Sequence, residues 1–281
     1  MYPANFTYHT PSSLDEALNL MSEHGDDAKL LAGGHSLMPT MKLRLATPAH
    51  LIDMRKLRND LQYVRDEGDH IAIGALTTYY QVQSSEVVQN KVPLLVELID
   101  NVGDMQVRNV GTLGGAIAHA DPAGDPPAGI LALEAEMVIR GADGERTVPA
   151  HEFFHGFFET EVGEGDILTE IRVPVQKGKG TYKKMRHPAS GYAVVGVAVV
   201  VQDGGECRVG ITGVSDGAYR AGGVEEALNG KSLDEDAISQ AAEHATDGID
   251  PLEDPYANAA YRRQLAKALT KRALLEVAGK A

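Results

Sequence analysis

Ala32-Gly33-Gly34-His35-Ser36 and Gly111-Thr112-Leu113-Gly114-Gly115 are the two stretches that decide the fold, and about eighty residues separate them. Each combines glycines with one small hydroxyl side chain. Because glycine lacks a Cβ atom, such loops can turn backbone N–H groups toward an anion. A dinucleotide carries two phosphates, so two loops meeting across a cleft could hold one pyrophosphate. We therefore predict a split phosphate cradle formed by the first glycine cluster (residues 32–36) and the second glycine cluster (residues 111–115).

The composition is that of a globular protein with an acidic surface. The 281 residues include 43% hydrophobic side chains, which favours two domains with sizeable cores. The net charge of -14 would repel a phosphate backbone and argues against nucleic acid as a partner. The longest apolar run, Ala193 to Val201, is too short to span a membrane. No secretory signal is visible, so we expect a cytoplasmic protein.

Alternating helical and strand patterns predict an α+β fold. A capping box at Ser13 begins a helix that ends at Gly25, and the apolar run 28–32 predicts a buried strand leading into the first glycine cluster. Further strands are expected at 50–54, 61–64, 71–73, 130–139, 147–148 and 167–173, and helices at 77–89 and 92–102. The polar, glycine-rich stretch 176–180 predicts a linker. Beyond it we expect three strands, at 182–185, 192–202 and 208–214, then helices near 222–229, 234–246 and 256–278.

One short motif competes with the cradle as the functional site. His151-Glu152-Phe153-Phe154-His155 has the spacing by which a helix presents two imidazoles to zinc and a glutamate as base. Against this, Pro149 and Gly156 leave room for barely two helical turns, and the phenylalanines favour a hydrophobic anchor. A zinc hydrolase is therefore one alternative function. A redox-silent dinucleotide-binding module is another.

Five motifs, in this order and spacing, resemble the FAD-binding medium subunit of the molybdenum hydroxylases. That family includes carbon monoxide, xanthine, and aldehyde or nicotinate dehydrogenases. The likeness covers the whole chain and rests on Leu31–Leu37, Met41–Arg44, Ile73–Thr78, Arg108–Gly115 and Ile167–Ile171. It implies a two-lobed FAD-binding domain of the para-cresol methylhydroxylase (PCMH) type over residues 1–176, with lobes of about 1–56 and 57–176. A smaller α+β flavoprotein domain, a three-stranded sheet with helices, would follow over 177–281.

The resemblance also implies which residues contact the FAD. Residues 31–37 and 111–115 would surround the pyrophosphate, and Asp125 would meet the ribityl or adenosine portion. Leu168 would pack against the cofactor, Lys183 would lie at the isoalloxazine carbonyl edge, and Tyr192 would lie close to the ring face. The predicted set is Leu31, Ala32, Gly33, Gly34, His35, Ser36, Leu37, Gly103, Gly111, Thr112, Gly114, Gly115, Asp125, Ile167, Leu168, Lys183 and Tyr192. Ala116 stands where many relatives have asparagine, which would remove one hydrogen bond to the cofactor.

The same resemblance implies the place of the chain in a larger enzyme. A large subunit would carry molybdopterin, and a small subunit would carry the 2Fe-2S clusters whose electrons reach the flavin. The expected assembly is a dimer of heterotrimers. With a single cysteine, Cys207, this chain cannot hold an iron–sulfur cluster alone, because such clusters need about four ligands. No side chain is given a catalytic role, no metal site is predicted, and the substrate and the electron acceptor stay open.

Overall fold

A computed structural model describes residues 2–280 and begins with a small parallel sheet. This N-terminal lobe consists of β1 (Thr7–His9), α1 (Leu14–His24), β2 (Ala28–Leu31), α2 (Leu37–Lys42), β3 (His50–Asp53) and α3 (Arg58–Leu61). Strand β3 lies between β1 and β2, and both pairings are parallel. The Ser13 hydroxyl accepts the Glu16 N–H and caps α1, as predicted. Helix α1 packs on the sheet through Ala17, which shares a core with Ile52.

The middle of the chain forms a five-stranded antiparallel sheet covered by short helices. Its elements are β4 (Val64–Asp66), β5 (His70–Gly74), α4 (Tyr79–Ser84), α5 (Glu86–Lys91), α6 (Pro93–Asp100), α7 (Met105–Val110), α8 (Leu113–His119), α9 (Asp125–Ala132), β6 (Glu136–Gly141), β7 (Gly144–Pro149), β8 (Phe154–Gly156), β9 (Glu159–Thr160) and β10 (Ile167–Pro174). The strand order is β4-β5-β10-β6-β7, and β8 pairs only with β9. The expected strand at 130–139 is wrong over its first half, because α9 extends to Ala132. Every residue of α9 is buried and all but Asp125 are apolar, so the sequence lacks the one-sided helical period.

The C-terminal part is an antiparallel sheet backed by helices. It contains β11 (Gly178–Arg186), β12 (Ala193–Gln202), β13 (Cys207–Thr212), β14 (Tyr219–Arg220), α10 (Gly222–Leu228), α11 (Glu235–Ala242) and α12 (Ala259–Val277). The sheet has four strands rather than the expected three, because Tyr219–Arg220 pairs with β13. The expected linker is also partly wrong, since Gly178 already pairs with Gln202. No helix within 2–280 has the length and apolar character needed to cross a membrane.

The C-terminal sheet packs directly on α9 and holds the loop before it. A Cβ atom on Gly210 would lie 2.0 Å from the Ala128 carbonyl oxygen, so glycine is required where β13 meets this helix. The Thr212 hydroxyl donates to the carbonyls of Pro122 and Gly124 at 2.8 and 2.9 Å. The loop 120–124 is therefore fixed between the middle sheet and the C-terminal sheet.

Candidate functional site

The first glycine cluster forms an open turn between β2 and α2. Gly34 has a φ of +70°, a conformation that favours glycine. The N–H groups of Gly33, Gly34, His35 and Ser36 donate to no protein acceptor within residues 2–280. The His35 ring nitrogen Nδ1 lies 3.1 Å from the Gly33 carbonyl oxygen, which folds that side chain back on the turn. Four consecutive N–H groups are thus available to a negatively charged ligand, as predicted for a cradle.

The second glycine cluster uses its N–H groups within the protein. The Gly114 N–H donates to the Ala75 carbonyl at 3.1 Å, and the Gly115 N–H donates to the Thr112 hydroxyl at 3.1 Å. The prediction of free N–H groups is wrong for these two glycines. Gly114 instead serves close packing, because a Cβ atom there would lie 2.5 Å from the Ala75 carbonyl oxygen. Thr112 caps α8, which fixes the start of that helix.

The two glycine clusters nevertheless lie side by side, as the split cradle requires. A Cβ atom on Gly33 would lie 2.5 Å from the Val110 carbonyl oxygen and 2.8 Å from the Gly111 Cα. A Cβ atom on Gly115 would lie 3.7 Å from the Ala32 Cβ. The expected approach of the two clusters is confirmed by these distances. Glycine at position 33 allows the two backbones to touch.

Tyr192, just before β12, reaches the first glycine cluster. Partial burial raises the pKa of its phenol, and the negative charges of Asp121 and Asp125 raise it further, whereas a hydrogen bond with the Ser36 side chain opposes the shift. Tyr192 is 42% exposed, so its side chain stays accessible to a ligand. Tyr192 therefore lies near both the first glycine cluster and the loop before α9.

A buried ion pair lies near Tyr192. The Asp125 carboxylate accepts from the Tyr182 hydroxyl at 2.5 Å and from the Lys184 ammonium at 2.8 Å. The side chains of Lys184 and Asp125 are only 3% and 6% exposed. Burial raises the pKa of Asp125 and lowers that of Lys184, and their mutual attraction opposes both shifts. Both Asp125 oxygens thus have protein partners, and the pair joins the start of α9 to β11.

Lys183 lies on the opposite face of β11 from this ion pair. Side chains alternate along a strand, so Lys183 points away from the face that carries Tyr182 and Lys184. Its ammonium donates to Glu276 on α12 at 2.7 Å. The structure therefore separates Lys183 from Asp125. Sequence reasoning missed Lys184, although the period of two along this strand could have indicated that only one of the two lysines faces the middle domain.

Four other residues named in the sequence analysis contribute to the fold. Ile167 is buried in the core of the N-terminal lobe, whereas Leu168 is buried in the large core of the middle sheet. Gly103 lies in the connection between α6 and α7 and has a φ of +52°, a conformation that favours glycine. Ala116 packs against the same large core from α8. These observations concern the fold and leave their proposed cofactor contacts as proposals.

The His-Glu-x-x-His segment does not form the helix that a zinc site of this kind needs. His151 lies in a short 3-10 turn, and His155 lies in β8. The His155 ring nitrogen Nε2 is 2.8 Å from a Glu161 carboxylate oxygen, whereas His151 neighbours Glu152. Phe153 is fully buried, as expected of a hydrophobic anchor. The structure gives the zinc hydrolase hypothesis no support.

His119, the last residue of α8, makes stability depend on pH. Burial lowers its pKa below the usual value, and Asp121 opposes this only in part. The unfolded chain therefore binds the proton first as the pH falls through about 6.5, and stability present above that pH is lost below it. We expect His119→Gln to flatten this loss. Urea midpoints at about pH 7.5 and about pH 5.5 measure it, and an unchanged difference between the two midpoints would contradict the assignment.

Comparisons with known proteins agree with this architecture. Residues 4–176 match the family described as FAD binding domain in molybdopterin dehydrogenase, and residues 180–277 match the CO dehydrogenase flavoprotein C-terminal domain. The chain is 42% identical over 280 residues to the carbon monoxide dehydrogenase medium chain of Hydrogenophaga pseudoflava, covering 98% of this chain and 97% of the relative. It is 41% identical over 283 residues to the glyceraldehyde dehydrogenase medium chain of Sulfolobus acidocaldarius, covering 99% of this chain and 100% of the relative.

A solved structure extends the likeness from sequence to fold. The carbon monoxide dehydrogenase of Hydrogenophaga pseudoflava that lacks the Mo-pyranopterin moiety of its molybdenum cofactor contains a chain that superposes with a TM-score of 0.95. The two chains are 42% identical, and each is covered completely. This superposition and the family matches over both parts of the chain identify the family. The chain belongs to the FAD-binding medium-subunit family of the molybdenum hydroxylases.

Proposed function

We propose that this chain carries FAD across the two glycine clusters and passes electrons from a partner's 2Fe-2S clusters to an external acceptor. The single observation that carries the proposal is the row of four unpartnered N–H groups at residues 33–36, placed against the second glycine cluster. A protein of net charge -14 attracts a pyrophosphate poorly through its overall field. Local N–H dipoles therefore supply the attraction for that group.

The bound FAD would extend from the first glycine cluster past Tyr192 toward the loop before α9. The first cluster would bind the pyrophosphate through its N–H groups, and the glycine at position 33 lets the backbone of the second cluster lie against it. Tyr192 would cover the cofactor from the C-terminal side, and the Asp125–Lys184 pair would keep α9 and β11 in place below it. Bound FAD supplies a centre that accepts electrons singly and releases them in pairs.

The remaining contacts are proposed from the resemblance. Gly103, Ile167, Leu168 and Lys183 would contact FAD, with Lys183 offering its positive charge at the isoalloxazine carbonyl edge. Lys183 would have to release Glu276, which holds its ammonium at 2.7 Å. Asp125 would approach the ribityl or adenosine portion while keeping Lys184 as its partner. This arrangement predicts that Lys183 has more freedom to meet a ligand than the buried Lys184.

We further propose a domain division at residue 176, with lobes of about 1–56 and 57–176 before a flavoprotein domain over 177–281. The separate parallel and antiparallel sheets support the two lobes, and the sheet of β11–β14 supports the third unit. The partners would be a molybdopterin subunit and an iron–sulfur subunit, in a dimer of heterotrimers. We propose a cytoplasmic location, with which the free, buried thiol of Cys207 agrees. Fractionation of the native cells tests that location.

The proposed function predicts a yellow protein whose colour responds to substrate. The chain copurified with its partners should contain one FAD per chain, and the flavin absorbance should bleach when a substrate of the complex is added. Carbon monoxide and glyceraldehyde are the first substrates to test, because similar medium chains belong to dehydrogenases named for them. Dithionite serves as the control that reduces the flavin without a partner.

Three results would contradict the proposal. A colourless chain that takes up no FAD on reconstitution would remove the cofactor. FAD that binds tightly but is reduced neither by dithionite nor through the partner subunits would favour the redox-silent module. Bleaching by dithionite without bleaching by any substrate in a complex that reduces its iron–sulfur clusters would also exclude electron transfer through this chain.

A further inference from the structure

Three histidines meet at one end of the N-terminal lobe, far along the sequence from one another. His9 ends β1, His24 ends α1, and His50 begins β3. In the parallel register Thr7 pairs with His50, so His9 and His50 project from the same face of the sheet. Helix α1 packs on that face, and its last residue brings the third imidazole to the other two. We call these three residues the histidine cluster.

The rings are close enough to share one ligand. His9 Nε2 lies 3.0 Å from His50 Nδ1, and the His24 and His50 ring centroids are 3.6 Å apart. One nitrogen from each ring can be chosen so that all three lie within 4.8 Å of one another. Two nitrogens bound to one tetrahedral zinc ion at about 2.0–2.1 Å each lie about 3.3 Å apart. The His9–His50 pair is close to that spacing, and the nitrogen of His24 lies within 4.8 Å of both.

The histidine cluster lacks the carboxylate partners that other histidines of this protein have. His70, His151, His155 and His244 each lie within ion-pair distance of an acidic side chain, whereas none of the three does so within residues 2–280. Neutral imidazole is the form that binds metals, and no ion pair has to be broken to free these three rings for a metal.

We propose that the histidine cluster is a binding site for one divalent transition-metal ion, with Zn²⁺ as the preferred occupant. Imidazole ligands suit late first-row metals, and three of them leave a fourth position for water at this partly exposed site. The ion would join β1, α1 and β3. Because β3 also pairs with β2, which leads into the first glycine cluster, the metal would stiffen the lobe that carries that turn. The site is separate from the proposed FAD cleft.

Metal titration of the untagged, chelator-stripped full chain tests this proposal. Equilibrium dialysis against Zn²⁺ should give about one ion per chain above the background of the triple variant His9→Gln/His24→Gln/His50→Gln. Loss of one of three ligands should weaken binding by at least about 100-fold, since even outer-shell changes cost 10- to 100-fold. His24→Gln should show this loss, whereas His244→Gln, which alters a carboxylate-paired histidine, should bind as the wild type does.

A second readout keeps the test decisive if a variant folds poorly. Zn²⁺ should raise the Tm of the wild type and of His244→Gln but not that of His24→Gln, and Co²⁺ should give the visible absorption of a tetrahedral site only where Zn²⁺ binds. Should His24→Gln lose its far-UV circular dichroism, His9→Gln replaces it. Equal Zn²⁺ binding by the wild type and the triple variant, or no binding by the wild type, would overturn the proposal, whatever the FAD content.

Discussion

Lys184→Met is expected to destabilise the protein by about 3–5 kcal/mol, because it leaves the Asp125 carboxylate buried without its charged partner. The Lys184 side chain is 3% exposed and also donates to the Asn101 carbonyl at 3.1 Å. Its loss therefore leaves the buried Asp125 Oδ2 atom without its donor, whereas the Asn101 carbonyl keeps Arg186 as a donor at 3.4 Å. Urea unfolding of the variant and the wild type, at equal FAD saturation, measures the change.

Lys267→Met is the matched control for the buried pair. Lys267 pairs with Glu243 at 2.8 Å, but its side chain is 26% exposed and that of Glu243 is 66% exposed. Such a surface pair contributes about 0–1 kcal/mol. The double variant Asp125→Asn/Lys184→Met should recover part of the lost stability, since no unpaired charge remains. A Lys184→Met variant as stable as the Lys267→Met control would show that the ion pair does not hold α9 to β11.

Gly33→Ala is expected to weaken FAD binding by about ten- to hundredfold. Overpacking by an added methyl group costs about 1–3 kcal/mol, and about 1.4 kcal/mol changes an affinity tenfold. The added Cβ atom would lie 2.5 Å from the Val110 carbonyl oxygen and 2.8 Å from the Gly111 Cα. Both neighbours are backbone atoms and cannot turn aside as a flexible side chain could. The two glycine clusters must separate, which moves the N–H groups of the first cluster away from the pyrophosphate. Fluorescence titration with FAD gives the affinity.

Gly204→Ala controls for the general effect of a methyl group on glycine. Gly204 lies in the turn between β12 and β13, has no positive φ, and has open space where its Cβ atom would stand. We expect unchanged FAD affinity and stability for this variant. If Gly33→Ala binds FAD as tightly as Gly204→Ala does, the contact between the clusters has no part in binding and the split cradle is wrong.

Local patterns in the sequence predicted many elements because neighbouring residues determine them. The Ser13 cap and the stop at Gly25 both depend on residues within one turn of chain. The prediction was wrong where burial removes the pattern. Helix α9 contains Pro126 and Pro127 in its first turn and is buried all round, so its apolar sequence resembled that of a strand.

Local sequence likewise predicted part of the candidate site, and the rest depends on contacts between residues distant in the chain. The turn at the first cluster followed from its glycines, and the ordered motifs pointed to the family. The sequence could not tell whether Lys183 or Lys184 faces Asp125. Neighbouring residues of a strand point to opposite faces, but only the pairing of β11 shows which face packs against the middle sheet. The internal use of the Gly114 N–H by Ala75 likewise required the contact itself.

The sequence by itself determined the family of this protein, the existence of two glycine-rich turns, and the inability of one cysteine to hold a cluster. Those conclusions depend on residue identity and order. Only the tertiary structure decided that Gly33 touches Gly111, that Lys184 is buried against Asp125, and that His9, His24 and His50 converge. The physical reason is that strand pairing and helix packing bring together residues that are distant in the chain. The spacing of residues within one local segment does not encode such contacts.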